Sequence, residues 1–261
     1  MSKSEIYSHF HPEEKAFVDR AWEWVERAAE RHEMRRTDFL DPRQAFILST
    51  LANRHPDAAV RLDGGSPEAE RKRALIAPDY RALDEGDMGI AVLDISSEDR
   101  RISELDHGDY LGALLGLGIK REKIGDLHVR EDGCHAVIAE EIGDFLVGHM
   151  KQAHRVDVRV AVMPLSELRV VQPQWEEMTV SVASLRLDGI AGDVYRLSRA
   201  KIVEPIRAGR CRVNWKTVED PSVPLREGDV VSMKGFGRFK VVGVEGLSKS
   251  GRTRVRIGKF V

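Results

Sequence analysis

Long apolar runs are missing from this 261-residue chain. Its longest uncharged apolar stretches, such as Tyr110 to Ile119, fall well short of the ~18 residues that a membrane helix needs, so no membrane association is expected. Met1 to Phe10 holds no basic stretch followed by an apolar core, which argues against a secretory signal. Cysteine is scarce. Cys134 and Cys211 lie 77 positions apart and form no C-x-x-C pair. That spacing speaks against a disulfide framework and a zinc finger, and a reducing cytoplasm is the expected location. The nine histidines contain no H-x-x-x-H or H-E-x-x-H pattern. The one close pair, His9 and His11, would point different ways on a helix, so no metal site is expected. Gly116-x-Gly118 lacks the preceding strand and third glycine of a dinucleotide fingerprint. Glu13-Glu14, Glu140-Glu141 and Glu176-Glu177 read as helix starts or solvated faces rather than acid–base pairs. No cofactor, small-molecule substrate or catalytic constellation is therefore expected.

Apolar residues make up 42% of the chain and charged residues 32%, enough for packed cores. The length suits two or three domains. The net charge of −2 conceals a strong asymmetry. Met1 to Met178 carries 24 Lys and Arg against 35 Asp and Glu, whereas Thr179 to Val261 carries 17 against 8. A basic end on an otherwise acidic chain is the electrostatic signature of an appended nucleic-acid-binding module, although a merely solvated basic surface gives the same count.

The pattern along the chain predicts an α+β protein. Pro12 can open a helix whose apolar stripe is Phe17, Ala21, Trp24, Val25 and Ala28. Pro42, after Asp41, opens a second helix through Phe46 and Leu51. Ala58 to Leu62 reads as a strand, and Ser66-Pro67-Glu68 as the start of a short helix ending near Arg71-Lys72-Arg73. From Met88 the order is strand (to Ile95), helix (Asp109 to Leu117), strand (Leu127 to Val129), strand (Ala136 to Ala139), helix (Glu141 to Gln152) and strand (Val156 to Met163). This β-α-β-β-α-β order is ferredoxin-like, the frame of the RNA-recognition motif. Pro164 to Glu177 is the expected linker. Two helices follow, Leu187 to Val194 and Ser198 to Arg207, and then strands at Arg210 to Asn214, Lys216 to Val218, Val230 to Met233, Phe239 to Val244 and Val255 to Ile257. The expected domains are 1–80, 81–165 and 178–261.

The most specific residues lie in the last segment. Arg186-Leu187-Asp188, Leu197-Ser198-Arg199-Ala200-Lys201, Ile206-Arg207-Ala208-Gly209-Arg210, Val213-Asn214, Asp220-Pro221 and Gly228-Asp229 together resemble an S4 RNA-binding domain. Ser198 can cap the second helix and leave its N-terminus free for a phosphate. Arg186, Arg199, Lys201, Arg207, Arg210, Asn214 and Lys216 are the RNA-contact candidates beside it. Arg186-Leu187-Asp188-Gly189 also looks like the Arg-Leu-Asp of pseudouridine synthases, but Asp188 reads more simply as a first-turn acid on a helix dipole. Lys234-Gly235-Phe236-Gly237 matches half of an RNP1 consensus and then departs from it. Phe236 suits either packing or base stacking.

Thr37-Asp38-Phe39-Leu40-Asp41-Pro42-Arg43, Ala69-Glu70-Arg71-Lys72-Arg73-Ala74, Pro78-Asp79-Tyr80 and His107 to Asp126 are unusual segments. They resemble the YlmH family of bacterial S4-domain proteins, from about Ile6 to the C-terminus. The resemblance implies an N-terminal α+β domain, a central RRM-like domain and a C-terminal S4 domain. It also implies docking on structured ribosomal RNA, and action in ribosome-associated quality control on a large subunit that still carries peptidyl-tRNA. Lys120, Arg121 and Lys123 form a basic cluster in the acidic part, open to reading as an RNA contact or a solvated loop. Gly112, Gly116 and Gly118 would weaken a helix unless close packing or RNA contact compensates. The alternatives to a non-catalytic RNA binder are an RNA-modifying enzyme of pseudouridine synthase or methyltransferase type, with S4 as delivery module, and a protein-interaction scaffold.

Overall fold

His11 caps a short turn at Pro12–Glu14, and α1, Lys15–Arg31, follows it. Phe17, Val18, Ala21, Val25 and Ala28 form its buried face, while Trp24 of the predicted stripe is only half-buried. Asp41 caps α2, Pro42–Ala52, in a reciprocal capping box with Gln44, and Pro42 takes the first helical position. Both helices pack on a three-stranded antiparallel sheet of order β1-β3-β2, built from β1 (Arg35–Arg36), β2 (Ala58–Asp63) and β3 (Arg73–Pro78). The short helix expected from Ser66 does not form. The Asp63 carboxylate takes the Gly65 amide at 2.8 Å, and Asp126 takes the amides of Glu70 and Arg71 at 2.7 and 3.1 Å. Tertiary acceptors thus hold the N–H groups that a helix would use, and the chain turns into β3.

This computed structural model describes residue 7 and residues 10–84, 88–247 and 251–260; His9 lies outside them. The chain divides into two units, Met1–Gln172 and Pro173–Val261. The first unit continues with β4 (Ile90–Ser96), α3 (His107–Gly116), β5 (Ile124–Arg130), β6 (Gly133–Ala139) and α4 (Gly143–His149). The strand predicted from Val156 is split. Val156–Asp157 (β8) folds back on Gln152–Ala153 (β7), and Arg159–Met163 is a separate β9. Sheet order is β5-β6-β4-β9, all antiparallel, as a ferredoxin-like frame requires. Leu93, Ile95, Tyr110, Leu114, Ile124, Ala136, Ile138 and Leu146 fill the space under α3 and α4.

The expected N-terminal and central segments are joined within this unit by polar bonds as well as packing. Arg71 donates to the carbonyls of Ile124 and Phe39 at 3.1 and 3.0 Å. Phe39 lies on the sheet with Val137 and Ala139, against Gly125, where any Cβ would come within 2.9 Å of its ring. Lys123 bridges Asp38 at 2.6 Å and Glu141 at 2.9 Å, and buried Arg73 reaches Glu141 at 3.1 Å. Burial pushes the Glu141 carboxyl up, but hydrogen bonds led by that from Lys123, with Arg73 among the donors, outweigh it and hold its pKa down to about 2. A carboxyl depressed in the folded state stabilises above its unfolded pKa, and that contribution is lost as pH falls through the folded one. The Tm of the wild type should therefore fall between about pH 5 and pH 2, and Glu141→Gln should flatten that part of the curve. An equal slope in both proteins would show that the junction does not depend on this charge.

The second unit comprises β10 (Trp175–Val182), α5 (Leu187–Tyr195), α6 (Arg199–Arg207), β11 (Cys211–Val213), β12 (Lys216–Thr217), β13 (Val230–Met233), β14 (Gly237–Leu247) and β15 (Thr253–Phe260). Its antiparallel sheet has the order β10-β15-β14-β13-β11-β12. β10 begins inside the expected linker because Trp175 to Val182 pairs along its whole length with Thr253 to Phe260. Val180, Val182, Phe239, Val241, Val255 and Ile257 cover one sheet face with Leu187, Ile190, Val194, Ile202 and Ile206 from the helices. Cys134 and Cys211 are buried and free, one in each unit, and burial pushes each thiol up to about 12.

Candidate nucleic-acid interface

Five of the eleven predicted RNA contacts, Arg186, Ser198, Arg199, Lys201 and Arg207, lie on or cap the α5–α6 pair. Leu187, Ile190, Ala191 and Val194 bury one face of α5, and Ile202 and Ile206 bury one face of α6. Arg196 ends α5 in a left-handed conformation (φ 55°). Ser198 then caps α6, its hydroxyl accepting the Lys201 amide at 3.5 Å.

Asp188 sits at the centre of this corner and is only 3% exposed. Its carboxylate accepts two bonds from Arg186, both at 3.0 Å, and two from Arg199, at 3.1 and 2.9 Å. Hydrogen bonding to Arg186 lowers its pKa most, burial opposes this, and Arg199 adds to the lowering. Asp188 is therefore an anionic anchor that fixes two guanidinium groups, a role beyond the first-turn helix acid that the sequence suggests. The Arg199 side chain stays 70% exposed. Two positioned guanidiniums beside a capped helix N-terminus form a site suited to phosphate oxygens.

Lys201 and Arg207 are exposed on α6, and Arg210 is exposed just after it. Lys216 is exposed on β12. Asn214 has a different place. With Trp215 it forms the two-residue turn between β11 and β12, at φ 49° and 64°. Its amide donates to Asp229 at 2.8 Å and accepts from the Val230 amide at 2.9 Å, so both ends of the side chain hold the fold. Phe236 is 41% exposed and tilts against Tyr195 with ring centroids 5.5 Å apart.

The basic cluster of the first unit is divided. Lys120 is exposed, but Arg121 donates to the carbonyls of Ile124 and Gly125, and burial lowers its pKa to about 10. Lys123 belongs to the Asp38–Glu141 bridge. Arg73 is 2% exposed, so the Arg71–Arg73 run is no surface patch. A Cβ added at Gly112, Gly116 or Gly118 would meet nothing within 4 Å, so close helix-to-sheet packing does not explain these glycines; Gly118, at φ 82°, suits the helix end.

The ferredoxin-like sheet does not offer the aromatic platform of an RNA-recognition motif. Its second face presents His128, His135, Val137 and Ala139, all buried. Residues 165–171 and Phe39 cover it. His135 Nδ1 accepts the Arg169 amide at 3.1 Å, and His128 Nδ1 accepts the Val171 amide at 3.2 Å. Among the described residues, no group of three or more His, Cys, Asp or Glu is placed to hold a metal ion, and no helix is long and apolar enough to cross a membrane.

Three family models match the chain: "YlmH, N-terminal" over residues 13–81, "Putative RNA-binding domain in YlmH" over 84–167 and "S4 domain" over 195–231. Of solved structures, "Cell division protein ylmH from Streptococcus pneumoniae" is similar in fold, with a TM-score of 0.54 at 24% identity, covering 62% of this chain and 98% of that one. The Bacillus subtilis protein named "Ribosome-associated protein quality control protein P2" is 38% identical over 252 residues, 97% of each chain. With that identity over nearly the whole length, and three family models in the same order, the chain belongs to the YlmH family of RNA-binding S4-domain proteins.

Proposed function

We propose that the protein binds structured RNA of the large ribosomal subunit, ribosomal RNA and peptidyl-tRNA, without catalysing a reaction on it, and acts in cytoplasmic ribosome-associated quality control. The observation that carries this reading is the Asp188 cluster, which holds Arg186 and Arg199 beside the N-terminus of α6. The name of the Bacillus subtilis relative supports the ribosomal setting. Arg186, Ser198, Arg199, Lys201, Arg207, Arg210 and Lys216 are the proposed contacts, with Lys120 on the other unit. Arg121, Lys123 and Asn214 serve the fold. A-form RNA has a major groove too deep and narrow for side chains to read, so recognition runs through phosphates and 2′-hydroxyls and selects shape.

Co-sedimentation with large subunits across a salt series tests the reading. The logarithm of affinity should fall with the logarithm of salt by ~0.7–0.9 for each phosphate contact. A flat response would remove the electrostatic account. Ribosomal RNA incubated with the protein, with or without S-adenosylmethionine, should keep every nucleotide mass and, after carbodiimide labelling, show no new pseudouridine, an isomer of uridine that mass alone does not reveal. A stoichiometric mass change or new pseudouridine would establish an RNA-modifying enzyme instead.

A further inference from the structure

The helices α5 and α6 cover one face of the six-stranded sheet; the opposite face carries rings and cations together. We propose that this open face is a second RNA contact, a stacking platform for unpaired bases, distinct from the helix-pair site. The inference rests on the RNA-binding reading above and adds the class of RNA that this surface takes.

Strand alternation builds the face. Val255 and Ile257 point into the core, which sends Arg254, Arg256, Gly258 and Phe260 to the other side. Phe239 and Val241 do the same for Arg238 and Lys240 on β14. Trp175 is paired with Phe260 across β10 and β15, and their rings meet edge to face with centroids 6.0 Å apart. The guanidinium of Arg238 lies 4.8 Å from the Phe260 ring and 5.3 Å from the Trp215 ring. The Lys240 ammonium lies 5.9 Å from the Trp175 ring. Gly258 makes this possible: a Cβ there would stand 2.9 Å from the Trp175 indole, so the ring rests on bare backbone. Trp175 nevertheless remains 37% exposed.

Cross-strand ring pairs also stabilise sheets, but that role does not call for a field of cations around them. Arg212, Arg238, Lys240, Arg254 and Arg256 stand on this face, against Glu177 and Glu245. Glu245 is 3.9 Å from both Arg254 and Arg256, an ion pair without a hydrogen bond, so one carboxylate faces two guanidiniums. Aromatic rings set among cations match single-stranded RNA, whose bases stack while its phosphates are neutralised. A duplex keeps its bases stacked within the helix and has no use for the rings. β10, β14 and β15 lie outside the residues 195–231 that the S4 family model matches.

The test uses the full-length protein with two fluorescently labelled RNAs, a 12-nucleotide uridine strand and a hairpin whose stem is fully paired and whose loop is a compact tetraloop with its bases stacked on the stem. Trp175→Ala with Phe260→Ala should weaken binding of the single strand by about 5- to 150-fold per stacked base, with hairpin affinity unchanged. Trp175→Phe alone should keep most of the affinity. If the double variant melts early, Lys240→Gln, which leaves both rings in place, should still weaken the single strand selectively. Equal loss on both RNAs would overturn the platform, as would wild-type protein that binds the hairpin but not the single strand. Failure to bind either RNA would remove the broader RNA-binding reading as well.

Discussion

Replacing Arg73 by methionine should destabilise the first unit by about 3–5 kcal/mol, the cost of removing one partner from a buried charge network. The side chain is 3% exposed and its guanidinium makes four hydrogen bonds. It donates to the Thr37 carbonyl at 2.8 Å, to the Gly89 carbonyl at 2.7 Å and to both Glu141 oxygens at 3.1 and 3.3 Å. Methionine fills much of the aliphatic volume, so the loss reports the polar bonds rather than a cavity. The Thr37 carbonyl would lose this donor, at a cost of ~1–3 kcal/mol, and the Gly89 carbonyl would keep only the Glu140 amide, at 2.9 Å. Arg73→Lys should fall between the two, because an ammonium keeps the charge but lacks the planar fork that serves three acceptors. Urea unfolding followed by circular dichroism measures this, and a Tm drop on the order of 10 °C should accompany it. A loss below about 1 kcal/mol would mean that packing alone holds the junction.

The second large effect concerns RNA. Lys201→Glu with Arg207→Glu reverses two exposed cations on α6, neither of them in the Asp188 cluster. Affinity for large subunits should fall more than about tenfold, and the log–log salt slope by about 2, one for each lost phosphate contact. An unchanged slope would move the contact elsewhere. Arg199→Glu is a poorer probe, because it sets a carboxylate against buried Asp188 and would disturb the fold. Asp188→Asn gives the sharper result. It makes the protein more positive, so simple electrostatics calls for tighter binding. Loss of the anionic anchor instead frees Arg186 and Arg199 and brings amide donors against guanidinium donors, so binding should weaken. Tighter binding would show that the cluster does not organise the site.

Local signals identified much of this architecture. Asp41-Pro42 and Ser198 mark helix starts because a cap needs only a neighbouring side chain and amide. Phe17, Ala21, Val25 and Ala28 mark a buried stripe because helical period places them on one face. Arg71, Arg73, Arg121 and Lys123 were not legible in the same way. A run of cations reads as a surface patch unless its partners are known: groups distant in sequence for Arg71, Arg73 and Lys123, and the carbonyls of the following strand for Arg121. The open-face cations had a visible signal: Arg252-Thr253-Arg254-Val255-Arg256-Ile257 alternates strictly, as a strand with one basic side does.

By itself the sequence determined the α+β class, the order of most helices and strands, the charge separation and the helix-pair RNA motif. All of these depend on contacts within a few residues or on summed charge. Tertiary structure decided which of the candidate cations face solvent. It buried Arg73 and engaged Lys123 in a junction, covered the ferredoxin-like sheet with Phe39 and residues 165–171, and placed Asp188 between two arginines. The physical reason is that a charged side chain can bind RNA or satisfy a buried partner. For Arg73 and Lys123 that choice is made by groups tens of residues away, whose distances exist only once the chain has folded.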